Sequence, residues 1–278
     1  MNAIETAIER NPVRIGRRII VDSNPNLAGI IQERTRWSAF NSYKISEFAG
    51  KKISLRYSEI KEFSEYVQKI NEFLKGFLLS HFALSIQDWA KIDSGSVVLL
   101  DDKQNNCYGS FYFYDQVIAL SRTAILERGN DKVFLSFVHT LLHELIHAQS
   151  AHVFVSSKKQ SSQPVAFQDP TIARQGLYYT DKQSVALDEA ITEILAIKAT
   201  LEYFKNEDVS NQIDPSYQNY IQNLTDVLEN ASKNNNAQNE LFAALVLHKF
   251  GAIDYKELLA EFAKHNATDT LEQLFFMR

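Results

Sequence analysis

A single cysteine, Cys107, stands in the 278 residues, so no internal disulfide can staple the fold. No apolar run near the start has the make-up of a signal peptide, and none elsewhere is long enough to span a bilayer. The cytoplasm is therefore the expected compartment, with export by a route that needs no cleaved signal as the alternative. An excess of positive charge is missing too. The 29 Lys and Arg against 34 Asp and Glu leave a net charge of -5, which speaks against general nucleic-acid binding, although a local basic patch remains at Arg14-Ile15-Gly16-Arg17-Arg18. No internal repeat is evident and no heptad is sustained, which excludes a coiled coil.

What is present is enough apolar material for a large core: 45% of residues are hydrophobic and 12% aromatic, consistent with two closely packed lobes. The expected class is α+β, mostly helical. Residues 1–50 are mixed and read as an N-terminal arm, with a turn at Asp22-Ser23-Asn24-Pro25-Asn26. Residues 51–152 read as one lobe and 153–278 as a helical C-terminal lobe. From 58 to 82, Ile60, Phe63, Val67, Ile70, Phe73, Leu74, Phe77 and Leu78 fall on one face of an amphipathic helix. Ser96-Val97-Val98-Leu99-Leu100 reads as a buried strand. After residue 200, helices are expected near 216–231, 238–249 and 254–264.

The chemistry is concentrated in His143-Glu144-Leu145-Ile146-His147. It lies within Val133–Gln149, where Phe134, Phe137, Val138, Leu141, Leu142, Leu145 and Ile146 recur at helical spacing. Residues four apart on a helix share a face, so both imidazoles can address one ion while Glu144 projects beside them. With 7 His in the chain, such a string arises by chance in roughly one per cent of comparable sequences. Two histidines do not complete a catalytic zinc site, which needs three protein ligands and a vertex for water. The best source of a third is Leu187-Asp188-Glu189-Ala190-Ile191-Thr192-Glu193, continuing as a helix to residue 199. There Glu189 and Glu193 share a face: one carboxylate for the ion, and a second, one turn on, to accept from a ligand histidine's ring N–H.

Together these two strings resemble the gluzincin metallopeptidases, the thermolysin-like group in which the histidine helix is followed by a helix carrying Asn-Glu-x-x-x-Asp/Glu. The resemblance spans about residues 95–200. It implies a zincin-like fold, with a small sheet whose edge strand lies over the histidine helix. It also implies one zinc ion held by His143, His147 and Glu189, Glu144 as general base, and Glu193 as partner of a ligand histidine. Asp188 departs from the family's asparagine. It could still orient His147, but adds negative charge.

Residues 108–120, rich in aromatic and branched side chains, read as strand with a hairpin turn near Asp115-Gln116, suited to pairing with an extended peptide. The span 154–184 reads as a long polar connection passing near the metal. It makes Tyr178, Tyr179 and Arg174 candidates for stabilising the oxyanion of a tetrahedral intermediate. His139 is expected in the pocket wall, and His81, His248 and His265 as packing or surface residues. His152 is rejected as a metzincin-type third ligand, because Ser150 stands where that pattern needs glycine and the spacing is one residue short.

The expectation is a zinc-dependent metallopeptidase acting on peptide or protein substrates, with no nucleic-acid or membrane partner. Glu144 would take the proton of the activated water and deliver it to the departing amine. Two alternatives stand beside it: a non-catalytic, metal-stabilised binding module, favoured if a fourth side chain such as Asp188 or His139 reaches the ion, and an amidohydrolase acting on a non-peptide amide.

Overall fold

The computed structural model describes residues 13–15, 18–20, 53–56, 61–84, 97–100, 108–112, 117–121, 133–156, 170–179, 184–205, 209–213, 216–232 and 234–277. They form seven α-helices and two small sheets, an α+β arrangement in which helix predominates. In chain order the strands are β1 (Val13–Ile15), β2 (Arg18–Ile20), β3 (Ile53–Arg56), β4 (Val97–Leu100), β5 (Gly109–Tyr112), β6 (Val117–Ser121), β7 (His152–Ser156), β8 (Pro170–Gln175) and β9 (Tyr178–Tyr179). The helices are α1 (Lys61–Phe82), α2 (Val133–Gln149), α3 (Val185–Tyr203), α4 (Gln218–Ala231), α5 (Asn235–Lys249), α6 (Tyr255–Lys264) and α7 (Thr268–Phe275).

The centre of the molecule is α2. All residues from 135 to 149 are buried, while Phe134, at 41% exposure, reaches the surface. A helix that is apolar nearly all round can only sit inside a protein. Here α1 and α3 pack against it from the helical side and β5 and β6 from the sheet side. Beyond α3 the remaining helices build outward: α4 on α3, α5 on α4, α6 on α5, and α7 on both α6 and α4. Local signals fix their ends. Asp254 and Glu257 form a reciprocal capping box at the start of α6, each side chain accepting the other's backbone N–H at 2.8 Å. Asn234 caps α5 by accepting from Asn236 N.

One sheet has the order β3-β4-β6-β5, with β4 parallel to β6 and the other pairs antiparallel. The β5–β6 pair is the expected hairpin, in the register Tyr112 opposite Val117. The expected turn at Asp115-Gln116 lies outside the described residues. Strand β5 ends the sheet, with no neighbour on its outer side among the described residues.

The other sheet, β1-β2-β7-β8-β9, differs from the sequence reading. Residues 154–184, expected to be a long polar connection, supply most of β7 and all of β8 and β9. The apolar run Val153-Phe154-Val155 is short and lies close to the preceding helix, from which only Ser150 and Ala151 separate β7. The tract at 157–164 lies outside the described residues. Part of the expected arm is also strand: β2 runs parallel to β7, so this sheet joins residues from both sides of the expected 152/153 boundary. Helix α7 was not anticipated. No described helix is long and apolar enough to cross a membrane.

Leu145 is fully buried on α2, next to Glu144. Leu145→Ala is expected to lower unfolding stability by about 2–5 kcal/mol, read from a denaturant midpoint at unchanged slope.

Candidate metal centre

Helical geometry brings His143 and His147 onto one face of α2, and the packing of α3 against α2 brings Glu189 to both. The donor atoms form a nearly equilateral triangle. His143 Nε2 and His147 Nε2 are 3.2 Å apart, and Glu189 Oε2 lies 3.3 Å from the first and 3.4 Å from the second. Tetrahedral coordination with bonds of about 2.0–2.1 Å places neighbouring donors about 3.3–3.4 Å apart. These three residues could hold a metal ion. The site is also directional: the imidazoles are enclosed, while the Glu189 side chain is 21% exposed.

A carboxylate lies on the far side of each imidazole. His143 Nδ1 lies 2.8 Å from Glu193 Oε2, and His147 Nδ1 lies 3.2 Å from Asp188 Oδ2. An ionised carboxylate only accepts, so the His143 Nδ1–H donates to Glu193, and Asp188 Oδ2 lies within ion-pair reach of His147 Nδ1. Two imidazole nitrogens and a carboxylate oxygen lie at close range there, among further carboxylates whose charge is offset by protons on the rings or by a cation. Burial alone would push the His143 pKa down. The hydrogen bonds of Glu189 and Glu193 and the charge of Glu144 outweigh it and raise the value to about 10. Burial likewise opposes charge on His147, and Glu189 and Asp188 overcome it, again raising the pKa. Glu189 and Glu193 answer in the opposite sense: burial would raise both, but the histidines hold them well below the usual carboxylate range.

Glu193 is fixed from several directions. Besides His143, its Oε1 meets His139 Nε2 at 3.2 Å and accepts the backbone N–H of Ser216 at 3.0 Å. The other ring nitrogen of His139 lies 3.2 Å from Thr200 Oγ1, so His139 belongs to the wall and is not among the three converging donors. Immediately after Ser216, Tyr217 lays its ring on that of His143, with centroids 5.6 Å apart and an interplanar angle of 17°.

The added negative charge of Asp188 has a counterpart that the sequence reading missed. Lys249 Nζ, fully buried at the end of α5, lies 2.5 Å from Asp188 Oδ1. The same oxygen accepts the backbone N–H of Leu177 at 2.7 Å. Burial would raise the Asp188 pKa, but Lys249 and His147 bring it down to about 2. Asp188 also sits in the first turn of α3, where the helix dipole favours a negative group.

Glu144 is buried against β5. Gly109 makes this possible: a Cβ there would lie 2.8 Å from Glu144 Oε1 and 2.9 Å from Thr140 Cγ2. Burial lifts the Glu144 pKa above its ordinary value against the pull of both histidines, which makes it a stronger base.

Of the three oxyanion candidates, Tyr178 is half-buried on β9, and the Tyr179 side chain lies outside the described residues. Arg174 is committed elsewhere. Its buried guanidinium donates to the carbonyls of Gly176 and His248 and so clamps the β8–β9 turn to α5. His152 stacks on Phe111, and His248 reaches the Ile253 carbonyl. His81 and His265 face Glu202 and Glu240. Gly109, Tyr217 and Lys249 escaped sequence reasoning because each reaches the site from a distant segment and none stands in a motif. A lysine at a helix C-terminus already has an ordinary explanation in the dipole. No family model, curated protein or solved structure matches the chain.

Gly109→Ala is expected to cost about 1–3 kcal/mol of stability by forcing Glu144 or β5 aside, while His143, His147 and Glu189 still bind one equivalent of a divalent metal. Denaturant unfolding and metal analysis of the purified variant test both halves. In the metal-free protein His143 stabilises the fold fully below its ordinary pKa of 6.5, and this contribution is lost as pH rises toward about 10. Because the same charge competes with a cation, metal affinity is expected to rise across that interval, measurable by chelator competition at stepped pH.

Proposed function

We propose that the chain is a gluzincin-like zinc metallopeptidase. The observation that carries this reading is the triangle of His143, His147 and Glu189 donors, open on the Glu189 side, with Glu144 buried next to His143 in sequence and against β5 in space. A zinc ion held there would supply a water whose pKa falls to about 7 and would polarise the scissile carbonyl.

The chain's own groups do the rest. Glu144 takes a proton from the attacking water and later delivers it to the departing amine, a role suited to a carboxyl whose basicity burial has raised. With an ion bound, Glu193 accepting from His143 Nδ1 and Asp188 beside His147 Nδ1 would favour the tautomer that presents each Nε2. Strand β5 supports a zincin-like arrangement and a polypeptide substrate. Among the described residues it ends its sheet and lies against α2, where an extended peptide could align alongside it, and Gly109 keeps that path close to Glu144.

A structural site would be closed by a fourth protein ligand. The two side chains best placed to provide one are turned elsewhere, Asp188 to His147 Nδ1 and Lys249, and His139 to Glu193 and Thr200. This favours the catalytic reading over a metal-stabilised binding module.

Glu144→Gln is expected to retain one equivalent of zinc and to lose peptide cleavage by a factor of at least about 10². Wild-type turnover of a peptide library by that variant would refute the assignment of the base. Chelator-sensitive hydrolysis of small amides without any peptide cleavage would move the reaction to an amidohydrolase.

A further inference from the structure

Lys249 lies 61 residues beyond Asp188 and has no part in either motif, yet it is fully buried with Nζ 2.5 Å from Asp188 Oδ1. A lysine is almost never wholly enclosed unless its charge is paired. Here the geometry leads to the metal centre. Lys249 Nζ and the Leu177 N–H hold Oδ1 from two directions, which leaves Oδ2 facing His147 Nδ1 at 3.2 Å.

The backbone of Lys249 joins the same assembly. Its carbonyl accepts from Ala151 N at 2.9 Å, two residues after α2 ends, and the Ala151 carbonyl accepts from Gly176 N at 2.8 Å. Gly176, at φ 56°, fits where a side chain could not: a Cβ there would lie 2.3 Å from Asp188 Oδ1 and 3.0 Å from Lys249 Nζ. The end of α5, the end of α2, the β8–β9 turn and the start of α3 therefore meet at one ammonium group.

We propose that Lys249 is a positioning residue of the metal centre, fixing Asp188 so that Asp188 fixes His147, and that the C-terminal helices thereby form part of the ion's binding site. This rests on the reading of His143, His147 and Glu189 as metal ligands. Without the ammonium, Asp188 loses one of two anchors and its counter-charge, and a buried carboxylate so deprived leaves its place or draws in water. Oδ2 then no longer meets His147 Nδ1. Removing both charges together leaves nothing uncompensated, and an asparagine at 188 can still accept from that ring nitrogen.

The test uses the 278-residue chain and three variants, Lys249→Met, Asp188→Asn and the two combined. Zinc affinity is measured by competition with a chromophoric chelator, and the Nδ1 proton of His147 is followed by NMR in the metal-free protein. Each single variant is expected to bind zinc about 10- to 100-fold more weakly and to lose or shift the His147 resonance. The double variant should bind more tightly than either. Wild-type affinity in a folded Lys249→Met protein overturns the proposal, as do losses that simply multiply in the double variant. Should the single variants not fold, the double variant decides: zinc affinity within about tenfold of wild type supports the proposal, and a folded protein without zinc affinity overturns it. A wild-type chain that binds zinc but cleaves no peptide refutes the peptidase reading and leaves the role of Lys249 standing. One that binds no zinc refutes both.

Discussion

Two imidazoles on α2, each faced on its far side by a carboxylate on α3, are the constraint on which the rest of the site depends. The pairs His143–Glu193 and His147–Asp188 bear on how each ring is turned, and so on which nitrogen faces the third donor, Glu189. Because both partners of each pair sit on helices packed along one seam, the donor triangle follows from the register of that seam. A shift of α3 by one residue would carry Asp188, Glu189 and Glu193 about 100° around the helix and away from all three tasks. The fold's work is therefore to hold one helix pair in register, and the enclosure of α2 by α1, β5 and β6 does so.

Concentrating charge in this way is expensive. Glu144, Asp188, Glu193, His143, His147 and Lys249 are all buried, within a core otherwise made of aliphatic and aromatic side chains. Burying an ion without a partner costs several kcal/mol, so each of these groups requires another. The partners form a connected set: Lys249 to Asp188 to His147, and His139, Ser216 N and His143 to Glu193. Disturbing one member leaves its neighbour uncompensated, which makes the network act as a unit and the site sensitive to substitutions at residues that never approach the ion.

The legibility of the sequence follows the same physics. The helix Val133–Gln149, the β5–β6 hairpin and the pairing of His143, His147 and Glu189 were readable because each rests on local periodicity or on residues one helical turn apart. What escaped was set by distance along the chain. Strand β2 beside β7, Tyr217 on His143 and Lys249 on Asp188 each join segments tens to more than a hundred residues apart, and none leaves a trace in either segment alone. Strands β7 to β9 were missed for another reason. Their apolar stretches are short, and only two residues separate β7 from the end of the helix.

The depth at which α2 lies has a bearing on how such a centre would take up its ion. Side chains rooted in a close-packed interior have few rotamers to explore, so the entropic cost of arranging the imidazoles is met when the chain folds and not when the cation arrives. Grip on the ion and integrity of the interior then become a single property. A solvent or temperature that loosens packing around α2 would relax the donors as well, and occupancy would report on the health of the core long before the polypeptide unravels.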